Sequence, residues 1–135
     1  EIDYLLWFFK DLKILYSFNK KISNLNINCD DILSLNASVK KNTFINLNLN
    51  FFSKISKREI LINGKNFSLL GDLINNKVVL IKDNKKKVFQ FKKFNILKSF
   101  IAEHNDLIKK NYQFICDFKQ AIKTQKILDQ IKISV

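Results

Sequence analysis

The feature that most constrains the fold is the strict alternation of apolar and polar residues in TFINLNLNFF, which spans Thr43–Phe52. Isoleucine, leucine and phenylalanine take every second position, and asparagine takes the positions between them. Side chains of an extended strand point alternately to opposite sides, so this pattern predicts a half-buried β-strand. A similar alternation in Asp31–Val39 predicts a second strand, and Lys40–Asn42 would join the two as a hairpin.

Other strands are predicted on both sides of this hairpin. Leu12–Phe18 is expected to form one, with Leu12, Ile14, Tyr16 and Phe18 on one face. Downstream, three turn signals, Asn63–Gly64, Asn75–Asn76 and Asp83–Asn84, would separate four short strands. These strands are Arg58–Ile62, Phe67–Leu70, Val78–Ile81 and Lys87–Phe91. Consecutive strands joined by short turns indicate a largely antiparallel meander.

Helical patterns occupy both ends of the chain. The first nine residues, EIDYLLWFF, are apolar on almost every side and have no capping residue, so they are predicted to continue a longer helix. From Asn95 onward apolar residues recur at three- and four-residue steps through Phe114 and Ile122, which predicts a helix broken once near Asn105. A short helix, Gln125–Ile133, would follow. The fold class is therefore α+β, an open-faced, largely antiparallel sheet with helices packed on one face.

Length and composition indicate one domain over residues 1–135. A chain of 135 residues with 47% hydrophobic content can bury one core but has no room for two. The longest apolar run, Leu5–Phe9, is far shorter than the roughly 20 residues that a membrane-spanning helix needs. Because the chain lacks methionine and begins at Glu1, we expect it to be part of a longer protein.

The formal charge of +12 raises the possibility of a nucleic-acid partner. Only Arg58 is an arginine, and the many lysines, asparagines and isoleucines are residues that AT-rich codons favour. Arginine is the residue that grips phosphates and bases with two hydrogen bonds, so the composition argues against such a partner. The best local candidate is KKKVFQFKKF, Lys85–Phe94, where Phe89 and Phe91 alternate with lysines as in a base-stacking strand. A solvated basic strand is the favoured interpretation.

Cysteine and histidine provide no recognisable metal or catalytic spacing. Cys29 and Cys116 lie far apart and are interpreted as free thiols of a cytoplasmic protein. His104 is the only histidine, so it could serve a zinc site or a catalytic relay only with distant help. Asp30 and Asp31 are adjacent and would point to opposite faces of a strand, so they are expected to mark a strand entrance.

The polar face of the predicted hairpin is the candidate binding surface. It would display Ser34, Asn36, Asn46, Asn48 and Asn50, with Phe44 and Phe52 at its ends. Such a face is too polar for a core and wide enough to meet a second subunit, although antiparallel sheets commonly expose one face to solvent.

Four segments in order resemble the C-terminal domain of the Gfo/Idh/MocA family, which includes glucose-fructose oxidoreductase and inositol dehydrogenase. These segments are EIDYLLWFFKDLKIL, DDILSLNASVKKNTFINLNLNFF, SKREILINGKNFSLLGDLINNKVVLI and NYQFICDFKQAIK. The residues at the family's characteristic positions are Asp3, Asp31, Arg58, Gly64, Asp72, Tyr112 and Phe118. The resemblance covers nearly the whole chain and rests on the order and spacing of these motifs.

The resemblance implies the substrate-binding and oligomerisation domain of an oxidoreductase that uses NAD or NADP to act on a sugar or polyol. It also implies a homo-oligomer, paired through the exposed sheet face. The family's catalytic His and Asp would lie before Glu1, so this chain alone is expected to be inactive and to bind neither cofactor nor metal. Asp3, the remaining member of that motif, is expected to support the substrate pocket. The alternatives are a noncatalytic interaction module and a basic nucleic-acid-binding domain, and salt-dependent polynucleotide binding would distinguish the latter.

Overall fold

The computed structural model describes residues 1–40, 42–93, 95–112 and 115–133. The elements of this described part, in chain order, are α1 (Ile2–Phe9), β1 (Lys13–Lys20), β2 (Ile32–Val39), β3 (Thr43–Asn50), β4 (Glu59–Asn63), β5 (Phe67–Asp72), β6 (Lys77–Lys82), β7 (Lys85–Gln90), α2 (Ile96–Ile108) and α3 (Phe118–Ile133). They form two compact units. The first unit is Glu1–Ser53 with Ile115–Val135, and the second is Lys54–Phe114.

The first unit contains a three-stranded antiparallel sheet in the order β1-β2-β3. Its β2–β3 hairpin is confirmed, with Leu35 opposite Leu47 and Asn36 opposite Asn46; Lys41 in the predicted turn lies outside the described residues. The apolar side of the sheet packs against α1 and α3 in a cluster formed by Ile2, Leu35, Ile127 and Ile131. Leu35 has no exposed surface, and burying a leucine side chain stabilises a fold by about 1.5–3 kcal/mol.

The prediction for β1 was wrong in one respect. Leu12, Ile14, Tyr16 and Phe18 were expected on one face, but the pairing with β2 shifts between Ile14 and Tyr16. Ile14 lies opposite Ala37 and packs against the core cluster, whereas Tyr16 lies opposite Asn36 on the other face. A β-bulge inserts one extra residue into a strand and so changes which side its later residues face. Phe18 therefore joins Tyr16 on the polar side.

The second unit contains a four-stranded antiparallel sheet in the order β4-β5-β6-β7. The three predicted turns are present at its hairpins. At the β6–β7 turn, Asp83 and Asn84 both have positive φ angles, 50° and 59°, which is the two-residue geometry that suits the twist of paired strands. The antiparallel strands and the α+β class are confirmed, but the strands divide between two sheets of three and four strands where the turns alone suggested one meander.

The helices near the C-terminal end differ from prediction in their bounds. Asn95 caps α2, since its Oδ1 accepts hydrogen bonds from the backbone N–H groups of Leu97 (3.0 Å) and Lys98 (3.4 Å). The break predicted near Asn105 comes later, because α2 continues to Ile108. Phe114, which was placed in the same helix, lies outside the described residues.

The predicted short helix Gln125–Ile133 is the second half of a longer one, α3, which starts at Phe118. A reciprocal cap sets this start. The Asp117 carboxylate accepts from the Gln120 N–H (2.7 Å), and the Gln120 side-chain carbonyl accepts from the Asp117 N–H (3.1 Å). The two contacts satisfy two backbone donors that helix geometry leaves open, so the helix begins about two turns before the predicted start at Gln125.

Candidate functional site

The face of the three-stranded sheet opposite the core is the candidate site, and we call it the outer face. Strand register brings its side chains together: Lys13, Tyr16, Phe18, Lys20, Ile32, Ser34, Asn36, Ser38, Phe44, Asn46, Asn48 and Asn50. The side chains of β3 alternate between half-buried apolar residues toward the core and exposed residues on the outer face. This alternation is the one that the sequence displays, so the hairpin's polar surface follows directly from its period of two.

Side-chain amides on the outer face form a continuous chain of hydrogen bonds. Asn46 donates through Nδ2 to Oδ1 of Asn36 on the neighbouring strand (2.7 Å). Asn48 in turn donates through Nδ2 to Oδ1 of Asn46 (2.5 Å). Each amide carries two donor hydrogens and an oxygen with two lone pairs, so every member of the chain retains capacity for a further hydrogen bond. The surface is uncharged at these positions and can both donate and accept.

Phe44 and Asn50 lie on the outer face as predicted, but Phe52 does not belong to the strand ladder. Phe44 lies opposite Ser38 and is 78% exposed, so its ring is available at one end of the face. Asn50 accepts through Oδ1 from the backbone N–H of Ser53 (2.8 Å), which ties its side chain to the segment after β3. Phe52 is half-buried and lies two residues beyond the end of β3, outside the ladder.

Sequence reasoning missed two aromatic members of the outer face. The β-bulge places Tyr16 opposite Asn36, and Phe18 lies opposite Ser34. Tyr16 is exposed, and the Lys20 ammonium lies 5.7 Å from the centre of the Phe18 ring, within the range of a cation–π contact. The face thus combines amides, hydroxyl groups and aromatic rings. A bulge depends on pairing with a distant strand, so no local signal in β1 could have placed these rings.

Asp3 lies in the first turn of α1, and its side chain contacts α3. The Thr124 hydroxyl donates to Oδ1 of Asp3 (2.6 Å), which links the two helices. A second link, 2.8 Å long, joins the Lys123 ammonium to Asp11, just beyond the end of α1. The hydrogen bond from Lys123 and its positive charge hold the pKa of Asp11 below its usual value. Asp3 therefore lies where α1 contacts α3, and its role in a substrate pocket stays a prediction.

Asp31 acts as the anchor of the loop that precedes β2. Its buried carboxylate accepts from the backbone N–H groups of Ile22 (2.8 Å) and Ser23 (2.9 Å) and from the Ser23 hydroxyl. Burial raises the pKa of this carboxyl, but the hydrogen bonds from Ser23 and Ile22 outweigh it, so the pKa is lowered. Asp31 therefore lies at the entrance to β2, as expected, and its carboxylate holds the preceding loop against the start of that strand.

Among the residues that the structure describes, no group of three or more histidine, cysteine, aspartate or glutamate side chains lies close enough to hold a metal ion. No described helix is long and apolar enough to cross a membrane. The side chain of His104 contacts the backbone oxygen of Phe100 within its own helix (2.7 Å). Cys29 and Cys116 are free and exposed.

Comparison with solved structures identifies dehydrogenases with the same fold. UDP-N-acetylglucosamine 3-dehydrogenase GnnA from Acidithiobacillus ferrooxidans matches with a TM-score of 0.78 at 14% identity, over 99% of this chain and 44% of that one. The dehydrogenase MviM from Clostridium difficile matches with a TM-score of 0.73 at 23% identity, over 99% of this chain and 45% of that one. The chain therefore spans less than half the length of either dehydrogenase. Neither protein-family models nor curated proteins gave a match.

These matches confirm the fold expected from the resemblance. The same α+β arrangement of antiparallel sheets and helices occurs in these dehydrogenases, over less than half of their length. At these levels of identity, the likeness shows the fold and does not extend to function.

Proposed function

We propose that this chain is the substrate-binding and subunit-pairing domain of an NAD(P)-dependent oxidoreductase that acts on a sugar or polyol in the cytoplasm. The observation that carries the proposal is the match of 99% of the chain to less than half of a dehydrogenase, at a TM-score of 0.78. A match of this extent relates the chain to one part of a larger enzyme. The named substrate of that dehydrogenase is a nucleotide-linked amino sugar, which supports a sugar-type substrate here.

The proposal assigns the cofactor to a separate part of the protein. A dinucleotide phosphate loop needs glycines between a strand and a helix N-terminus. Gly64 follows β4 in a hairpin turn and Gly71 lies within β5, so neither glycine has that setting. The residues of this chain do not fit a dinucleotide site. The catalytic His and Asp that the family uses would likewise precede Glu1 in the complete protein.

The native coding sequence upstream of the Glu1 codon provides a direct test. The proposal expects a strand followed by Gly-x-Gly-x-x-Gly and a helix, then a Glu-Lys-Pro segment, and an Asp-x-x-x-His just before Glu1. An upstream frame that closes, or that lacks all three features, contradicts the oxidoreductase proposal. In that event the noncatalytic interaction module becomes the better description.

Asp3 is proposed to support the substrate pocket. The contact between α1 and α3 gives a matched pair of variants, since Asp3→Asn replaces the charged acceptor of the 2.6 Å hydrogen bond with a neutral one and Thr124→Val removes its donor. If Asp3 also supports the pocket, Asp3→Asn raises the KM of the complete enzyme for its sugar, and Thr124→Val leaves KM closer to that of the wild type. Equal KM values in the two variants would limit Asp3 to joining the helices.

The outer face is proposed to pair subunits. A two-fold interface must be self-complementary, and a chain of amides meets this condition because each amide both donates and accepts. Exposed Phe44 and Tyr16 add apolar area at either side of the amides. The variant Asn46→Lys places a charge at the centre of the face and is expected to shift the oligomer toward the monomer in light scattering.

The control is Asn26→Lys, which makes the same chemical change at an exposed position in the loop before β2. It is expected to leave the oligomer intact. If both variants keep the mass of the wild type, subunits do not pair through the outer face.

A further inference from the structure

One face of the second unit's sheet carries lysines and phenylalanines, and we call it the basic face. Its lysines and phenylalanines are Phe67, Lys82, Lys85, Lys87, Phe89 and Phe91, and the same register puts Ile60, Ile62, Leu69, Gly71, Val78 and Leu80 on this side. Strand register puts them on one side, since Phe67 lies opposite Lys82 and Lys82 lies opposite Lys85. Along β7, positions 85, 87 and 89 share a side because alternate residues of a strand face the same way. The backbone N–H of Phe91 donates to the Asn76 carbonyl (2.8 Å), which extends the same alternation beyond β7.

The second unit carries most of the basic residues, and the two faces of its sheet differ in charge. Residues 54–114 contain 14 of the 24 basic residues and 5 of the 12 acidic residues. Glu59 and Asp72 lie opposite each other on β4 and β5, and register places them on the reverse face, together with Lys77 and Lys86. No strand position on the basic face is acidic among the described residues. AT-rich codons explain why lysine is abundant, but they do not explain this difference between the two faces.

The lysines of the basic face are not neutralised within the described part of the chain. Lys82 and Lys85 are direct cross-strand neighbours, and like charges in that position destabilise a sheet. Lys87 follows Lys85 on the same side. The ion pairs given by the described residues involve other lysines, Lys57 with Glu59 and Lys123 with Asp11. An anionic partner would relieve the repulsion among the three lysines.

Exposed aromatic rings beside these lysines indicate which anion fits. Phe89 is 45% exposed and Phe91 is 57% exposed. Two residues of a strand span about 7 Å, so the two rings form a pair of adjacent platforms. Aromatic platforms next to cations are the combination by which sheets bind single-stranded nucleic acids, with bases stacked on the rings and phosphates near the lysines. Duplex bases are stacked on each other and could not use the rings.

We propose that the basic face binds single-stranded nucleic acid, with Lys82, Lys85 and Lys87 near the phosphates and Phe89 and Phe91 stacking on bases. This function goes beyond the proposed oxidoreductase role and does not depend on it. The outer face of the first unit takes no part in the binding.

Fluorescence anisotropy with the 135-residue chain and a labelled oligo-dT of about 15 nucleotides tests the proposal. We expect saturable binding with a Kd of roughly 10⁻⁴ to 10⁻⁶ M near physiological salt. A blunt duplex of the same length should bind more weakly although it carries more charge. Absence of saturable binding even at low salt, or preference for the duplex, would overturn the proposal.

Two lysine pairs from the β6–β7 hairpin provide a matched comparison of the two faces. The double variant Lys85→Gln with Lys87→Gln removes two charges from the basic face, and Lys77→Gln with Lys86→Gln removes two from the reverse face. Each phosphate contact on a single strand contributes about 0.7 to the slope of log K against log salt, so the first variant should reduce the slope by about 1.4. The second should change it much less. If the two double variants reduce the salt slope equally, the overall charge of the chain attracts the oligonucleotide and the basic face has no special role.

The phenylalanines separate stacking from charge. Phe89→Leu with Phe91→Leu keeps both positions apolar, and we expect dT binding to weaken by about 5- to 100-fold with the salt slope unchanged. Binding of inorganic polyphosphate, measured as competition, should be unaffected. Circular dichroism and the urea midpoint verify that each variant is folded. Wild-type dT affinity in the folded variant would refute base stacking and leave only simple anion attraction.

Discussion

The core of the first unit makes a quantitative prediction about Leu35→Ala. Leu35 lies on the central strand of the three-stranded sheet, has no exposed surface and belongs to a cluster with Ile2, Ile127 and Ile131. These partners come from both ends of the chain, so the cavity left by alanine would lie between the sheet and two helices. Truncating a fully buried leucine costs about 2–5 kcal/mol, from lost burial and from the cavity that remains.

Urea unfolding followed by far-UV circular dichroism measures this cost. With a slope of about 1–3 kcal/mol per molar urea, a loss of about 3 kcal/mol lowers the midpoint by roughly 1–3 M. The control is Leu61→Ala on β4, where the same side chain is 62% exposed and the expected cost is below about 1 kcal/mol. If Leu35→Ala costs no more than Leu61→Ala, the packing of α1 and α3 on this sheet is not the source of stability that the structure implies.

Three smaller perturbations test other contacts. Ser17→Ala removes a buried hydrogen bond from the serine hydroxyl to the Ile131 carbonyl (3.2 Å) and should cost about 1 kcal/mol by urea unfolding; no measurable loss would contradict it. Because the pKa of Asp31 is lowered in the folded state, its ionised form adds stability above the unfolded pKa of about 3.9, and this is lost as pH falls toward the folded value. Asp31→Asn should therefore flatten the fall in urea midpoint between about pH 5 and pH 3, and an unchanged profile would exclude this linkage. Gly64→Ala would place a Cβ against Cε1 of the Phe67 ring, so the urea midpoint should fall, and it should fall by less when Phe67 is also replaced with leucine. If Gly64→Ala lowers the urea midpoint equally with and without Phe67→Leu, a clash with the Phe67 ring is not the cause.

Local signals were sufficient for the hairpins. The alternation in Thr43–Asn50 predicted both the strand and the side that its asparagines occupy, because a strand's period is fixed by its backbone. Asp83 and Asn84 predicted a tight turn, because these residues tolerate the positive φ angles that they adopt. In each case the information lies within a few residues, so the sequence alone determines the outcome.

Features that depend on distant partners were not predictable in the same way. The bulge between Ile14 and Tyr16 is a property of pairing with β2, and it reverses the side on which Tyr16 and Phe18 lie. The polar connector after β3 resembles the loops inside a meander, so the change from one sheet to another left no local mark. The start of α3 is a different case, because Asp117 and Gln120 have the spacing of a reciprocal cap that apolar periodicity overlooks.

The candidate site has features that local sequence predicts and features that depend on distant partners. Asn46 and Asn48 were predicted on the outer face from the alternation of β3, and strand register places them there beside Asn36. Their hydrogen-bonded chain depends on side-chain orientation across two strands, which sequence cannot supply. Asp3 was singled out only through the family resemblance, and its contact with Thr124 joins positions 121 residues apart.

The measurement that tests the central proposal most directly is NAD(P)H binding and turnover by the complete gene product, beside the same assay on the 135-residue chain. We expect that the complete protein binds NADH or NADPH and shows absorbance changes at 340 nm with a sugar or polyol, whereas the isolated chain does neither. A complete protein that binds no nicotinamide cofactor, or an isolated chain that binds one by itself, would contradict the proposed oxidoreductase function.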